Sequence, residues 1–156
     1  MPVRLYDLLT PLRELPEVVE APLGVTEYWF ETFRRVIVVR MGDGCVLLEA
    51  DLYRDGWGWS VDRVMELDGV RLVYHRLEEP GRFLGARWGE LVGLEAGGRR
   101  CLIAARLLFC GVDVGREEAW RAYRMLVEAF EGRDPESEPL RVPPPEELVG
   151  AERAED

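Results

Sequence analysis

The sequence predicts an α+β fold: an antiparallel sheet of about six strands in a meander, preceded by short N-terminal helices and followed by one long amphipathic helix packed on the sheet. Three observations carry that expectation. Between residues 34 and 112, apolar and β-branched runs alternate with glycine-bearing tight turns. Over 115–131, Ala119, Trp120, Tyr123, Leu126, Val127 and Phe130 recur at helical spacing. The first thirty residues are cut into short pieces by Pro16 and Pro22.

Taken in chain order, Thr10-Pro11 reads as an N-cap followed by proline at the first helical position. Thr26 is a second candidate cap, for a short helix carrying Tyr28, Trp29, Phe30 and Phe33 into the core. Strands at 36–40 and 45–53 flank Gly42-Asp43-Gly44. Strands at 59–67 and 70–77 flank Asp68-Gly69, and strands at 91–96 and 100–110 flank Gly97-Gly98. Gly132 supplies the helix stop. The 156 residues then divide into a single α+β domain, 1–132, and a Pro-rich acidic extended tail, 133–156.

Composition narrows the function classes. The formal charge of -10 argues against nucleic acid and against anionic membrane surfaces. No apolar run reaches the ~18 residues of a membrane span, and no leader pattern is seen, so a cytoplasmic location is expected. Lysine, asparagine and glutamine are all absent. That absence excludes Schiff-base and P-loop lysine chemistry and fits a GC-rich thermophile. Cys45, Cys101 and Cys110 lack metal-knuckle spacing and read as buried small apolar residues of a reducing compartment. No metal and no cofactor is expected. A Ser-His-Asp site would require Ser60 to meet His75, without a nucleophile-elbow sequence around the serine.

The hairpin at Asp68-Gly69 is more informative. A two-residue turn sets Glu66 opposite Arg71, Val64 opposite Val73, Arg63 opposite Tyr74 and Asp62 opposite His75. His75 is then a partner for Asp62. The opposite face is apolar except for Arg63 and Arg76. In the last strand Arg106 shares an otherwise apolar face with Leu102, Ala104, Leu108 and Cys110. An arginine cannot shed its proton to enter a dry interior, so something anionic should answer it. The candidates are Glu49, Asp51 or Glu78 within the chain, or the carboxylate of a small ligand near Arg63, Arg76, Arg106 and Tyr74. A second class of function, a non-catalytic subunit or assembly protein, would use Trp57 and Trp59 around Gly58, or the acidic tail, to meet a protein partner.

Four short stretches resemble the chorismate lyase-like superfamily, which includes effector-binding domains of bacterial regulators. They are Leu23-Gly24-Val25-Thr26, Asp62-Arg63-Val64-Met65-Glu66-Leu67-Asp68-Gly69, Glu79-Pro80-Gly81-Arg82-Phe83-Leu84, and Gly98-Arg99-Arg100 leading into Leu107-Leu108-Phe109. The resemblance spans roughly residues 23–110 and implies a pocket between sheet and loops where arginine meets an aromatic carboxylate. In the lyases that product is 4-hydroxybenzoate, released with pyruvate by a cofactor-free elimination. Arg63 matches the family's ligand-binding arginine. The family's acidic residue falls at Leu107, so what the resemblance implies here is binding, with the proton handling of the elimination missing.

Overall fold

In the computed structural model the residues described are 22–30, 34–67 and 70–130. They form seven antiparallel strands and one helix: β1 (Pro22–Trp29), β2 (Arg35–Met41), β3 (Cys45–Asp55), β4 (Arg63–Leu67), β5 (Val70–Arg76), β6 (Trp88–Ala96), β7 (Arg99–Cys110) and α1 (Arg116–Phe130). A single 3-10 turn, Pro80–Arg82, lies between β5 and β6.

The expected helix at Thr26 is a strand. Val25, Thr26, Tyr28 and Trp29 are β-branched or aromatic and suit a pleated surface. Pairing with β2, from Val25 opposite Val39 to Trp29 opposite Arg35, supplies the missing seventh strand. The helix expected after Thr10 and the acidic tail both lie outside the described residues.

Nor is the sheet one meander. Its order is β1-β2-β3-β7-β6-β5-β4. Two meanders, β1 to β3 and β4 to β7, are joined so that the last strand of the second pairs with the last strand of the first. The chain must therefore cross from the middle of the sheet to its far edge between β3 and β4. Trp57 makes that crossing over β6: a Cβ built on Gly93 would lie 2.6 Å from the Trp57 ring. Glycine is required there for space, which is why an aromatic ring can lie flat across a strand.

The hairpins follow the turn chemistry. Gly97 and Gly98 both take positive φ, 58° and 78°, as a two-residue primed turn demands, and Ala96 pairs with Arg99 on either side. Between β4 and β5 the register is the expected one, with Arg63 opposite Tyr74, Val64 opposite Val73 and Glu66 opposite Arg71.

Strand alternation divides the interior into two apolar clusters. Val36, Val38, Leu48, Leu52, Leu91, Leu107 and Phe109 face α1, which contributes Ala119, Ala122, Tyr123, Leu126 and Val127. Glu118 caps this helix by accepting a hydrogen bond from the Gly115 backbone N–H at 3.0 Å. The far face carries Ile37, Val39, Leu47, Leu72, Tyr74, Val92 and Leu108. A bulge in β7, where Ala104 faces Val92 but Leu102 faces Gly93, transfers Leu102 to the helix side. Arg106 therefore shares its face with Ala104, Leu108 and Cys110, and not with Leu102.

The cysteine expectation is corrected. Cys45 and Cys110 face each other directly across β3 and β7, with Cα atoms 4.1 Å apart, and form a disulfide. They lie 65 residues apart in the chain, so only the sheet order brings them together. Cys101 is not part of a disulfide.

Candidate functional site

The far face, apolar at its margins, is charged at its centre. One row of side chains crosses the sheet as Glu27, Ile37, Glu49, Arg106, Glu90 and Arg76, each opposite the next. The adjacent row brings Asp51, Ala104, Val92, Tyr74 and Arg63 into line. Alternation along each strand is sufficient to put these groups on one side, since residues two apart share a face.

Arg106 lies at the middle and is 0% exposed. Its Nε donates to Glu49 Oε1 at 2.8 Å and its Nη1 to Glu90 Oε2 at 3.1 Å. Glu90 is shared: Arg63 Nη2 reaches both of its oxygens, at 2.9 and 3.1 Å. Arg63 also stacks on Tyr74, 4.2 Å above the ring, and Arg106 lies 5.5 Å from the same ring. A second group adjoins the first along β3. Asp51 Oδ2 is 3.4 Å from Arg35 Nε and accepts a short hydrogen bond from the Tyr53 hydroxyl, while Arg34 lies over the Tyr53 ring. Such pairs compensate charges that would otherwise be costly in a dry interior.

Burial dominates the electrostatics. It pushes the carboxyls of Glu49 and Glu90 above the usual range, against the opposing pull of Arg106 on both. Burial likewise raises Asp51 to about 7, with Arg35 and Tyr53 opposing it. The Tyr74 hydroxyl is raised for the same reason. In Arg106, burial works to lower the pKa but is outweighed by Glu49, Tyr74 and Glu90, so the guanidinium stays charged.

Three polar atoms of this cluster are buried without a hydrogen-bond partner: Arg106 Nη2, Glu49 Oε2 and Tyr74 Oη. Arg63 connects them to solvent, its side chain 28% exposed.

Of the four ligand residues expected from sequence, the structure brings together Arg63, Arg106 and Tyr74. Arg76 is exposed at the end of β5. Glu49 and Asp51 answer arginines as expected, whereas Glu78 is exposed. Glu90 and Arg35 went unnoticed at the sequence level. Glu90 sits inside the run Trp88-Gly89-Glu90-Leu91-Val92, a lone charge among strand formers, and Arg35 opens the run Val36-Ile37-Val38-Val39.

His75 Nδ1 lies 3.5 Å from Asp62, the expected partner, and 3.1 Å from Ser60 Oγ. Both meet the same ring nitrogen, so no relay runs from acid through imidazole to hydroxyl. Asp62 instead accepts the Arg76 backbone N–H at 2.6 Å and closes the end of the hairpin. Trp57 and Trp59 pack on the helix-side core, edge to face with each other, with Trp59 also meeting Phe130. Among the described residues no cluster of histidine, cysteine and carboxylate side chains is placed to hold a metal ion, and no helix is long and apolar enough to cross a membrane. Comparison with protein-family models, with curated proteins and with solved structures finds no match to this chain.

Proposed function

We propose that the far face of the sheet binds a small organic carboxylate, an aromatic acid in the leading form of this reading. One observation carries it: Arg106 Nη2, Tyr74 Oη and Glu49 Oε2 lie buried and unpartnered in one cluster, beside an arginine that reaches solvent. Two of these atoms can donate to a carboxylate, and the aromatic form of the ligand rests on the chorismate lyase-like resemblance. Arg63 is both the residue that the chorismate lyase-like resemblance singles out and the partly exposed arginine of the cluster. Leu107, where that family carries its acid, is fully buried on the helix side. The reading is therefore binding without elimination. A thermophilic source belongs to the same proposal, supported by the lack of lysine and amide side chains and by the disulfide.

Thermal-shift titration with chorismate, 4-hydroxybenzoate and related aromatic acids tests it. A ligand that binds the native state must raise the unfolding midpoint, and Arg63→Ala should abolish the rise. If none of these acids moves the midpoint, the reading fails.

A second reading, an interaction protein, is favoured by the sheet's edges: Leu23 on β1 is 77% exposed and Val64 on β4 is 41% exposed. A dimer in light scattering that Leu23→Glu dissolves would support it.

A further inference from the structure

Resting on the carboxylate reading above, we infer that Glu49 serves as the proton acceptor of this site: an anion enters together with one proton, which bonds to Glu49 Oε2 and turns that carboxylate into a hydrogen-bond donor toward the ligand. The geometry leads to it directly. Arg106 has committed Nε to Glu49 and Nη1 to Glu90, and Nη2 is the nitrogen of its guanidinium left without a partner for an incoming carboxylate. A carboxylate docked there arrives beside the unpartnered oxygen of Glu49, the very residue that Arg106 grips. Two carboxylates in contact cannot both stay ionised in a buried site; a single proton between them converts repulsion into a strong hydrogen bond.

The groups facing Glu49 do not offer another way to absorb the charge. Arg106 on β7 and Arg35 on β2 already have carboxylate partners, in Glu90 and Asp51. Glu90 on β6 and Asp51 on β3 are themselves acids that disfavour a further negative charge, and Glu27 on β1 occupies the same row. Tyr74 on β5 is neutral, and Arg63 on β4 is occupied by Glu90. Burial pushes the Glu49 carboxyl up, in the same direction as the protonation that a second carboxylate would impose. The charge balance is simple. The ligand keeps its negative charge and lies against Arg106, and the solvent supplies the proton that Glu49 acquires.

Calorimetry with 4-hydroxybenzoate, at about pH 8 in two buffers of different ionisation enthalpy, measures the proton count. The wild-type protein should take up close to one proton per ligand. Its affinity should fall by about tenfold per pH unit above the Glu49 midpoint. Glu49→Gln keeps an acceptor for Arg106 and a donor for the ligand; it should bind with no proton uptake and no pH slope. Tyr74→Phe should weaken binding while leaving the proton count unchanged. Binding by the wild-type protein with a buffer-independent enthalpy overturns the inference and leaves the carboxylate reading intact. A pH slope that persists in Glu49→Gln also overturns it. No heat and no thermal shift with any aromatic acid overturns both, and that outcome is distinct because it is silent in every buffer.

Discussion

Arg106 holds two carboxylates at once, and its removal leaves both without the charge that compensates them. Arg106→Met should cost about 3–5 kcal/mol in urea unfolding, the range for breaking a buried ionic group by deleting one partner. Adding Glu49→Leu and Glu90→Leu should recover most of that loss, because an apolar replacement of the whole group avoids stranded charge. Asp51 makes a separate prediction. Its carboxyl, at about 7 in the folded protein, lies above its ordinary value of 3.8. Between those limits the native state binds more protons than the unfolded state, so this residue's contribution to stability is full at low pH and declines as pH rises towards 7. Burial gives Glu49 and Glu90 the same sign. Denaturant midpoints should therefore drop from about pH 5 to about pH 7.5, and Asp51→Asn should flatten the profile. A stability that climbs over this window, and a variant with the same slope as the parent, would contradict the assignment.

Among the elements, the crossing between β3 and β4 depends on one missing side chain. Gly93→Ala would drive a methyl into Trp57 and to within 2.9 Å of Val73 Cγ2. Overpacking of this kind costs about 1–3 kcal/mol, and Trp57 fluorescence should shift with it. In the double variant with Trp57→Ala, the added penalty should largely vanish. The pairing of β4 with β5 was legible because only two residues separate Leu67 from Val70, and so short a connection dictates the register. Gly97-Gly98 was legible for the same reason. The contact of β3 with β7 was not, because it joins Glu49 to Arg106 over a separation of 57 residues that no local pattern encodes. Arg106 still announced itself as a charge on an apolar face, and Glu49 and Asp51 were its natural answers. Glu90 was lost because the strand was expected to begin at Leu91, whereas it begins at Trp88 and takes in Gly89, where an added Cβ would meet Leu77 at 2.9 Å. Thr26 misled in the opposite way, since a threonine before a cluster of aromatics serves a helix cap or an edge strand equally well until a partner strand is known.

For the molecule as a whole, the disulfide fastens the two meanders together at their shared boundary. It closes a loop of 65 residues, and in the chain-entropy account its loss should cost about 4 kcal/mol. Reduction, or Cys45→Ala with Cys110→Ala, should lower the denaturant midpoint accordingly while leaving the circular dichroism of the native sheet in place. The strand order has a further consequence for how this protein is born. The strand that seals the middle of the sheet, β7, is the last of the seven to leave the ribosome. Until it arrives, the growing chain carries β3 with an open flank of Val46, Leu47 and Leu48. At about 5–20 residues per second, a few seconds separate the emergence of β3 from that of its mate. During that interval a neighbouring nascent chain on the same messenger can offer the same sticky border, so crowded translation is a condition under which this protein should clump.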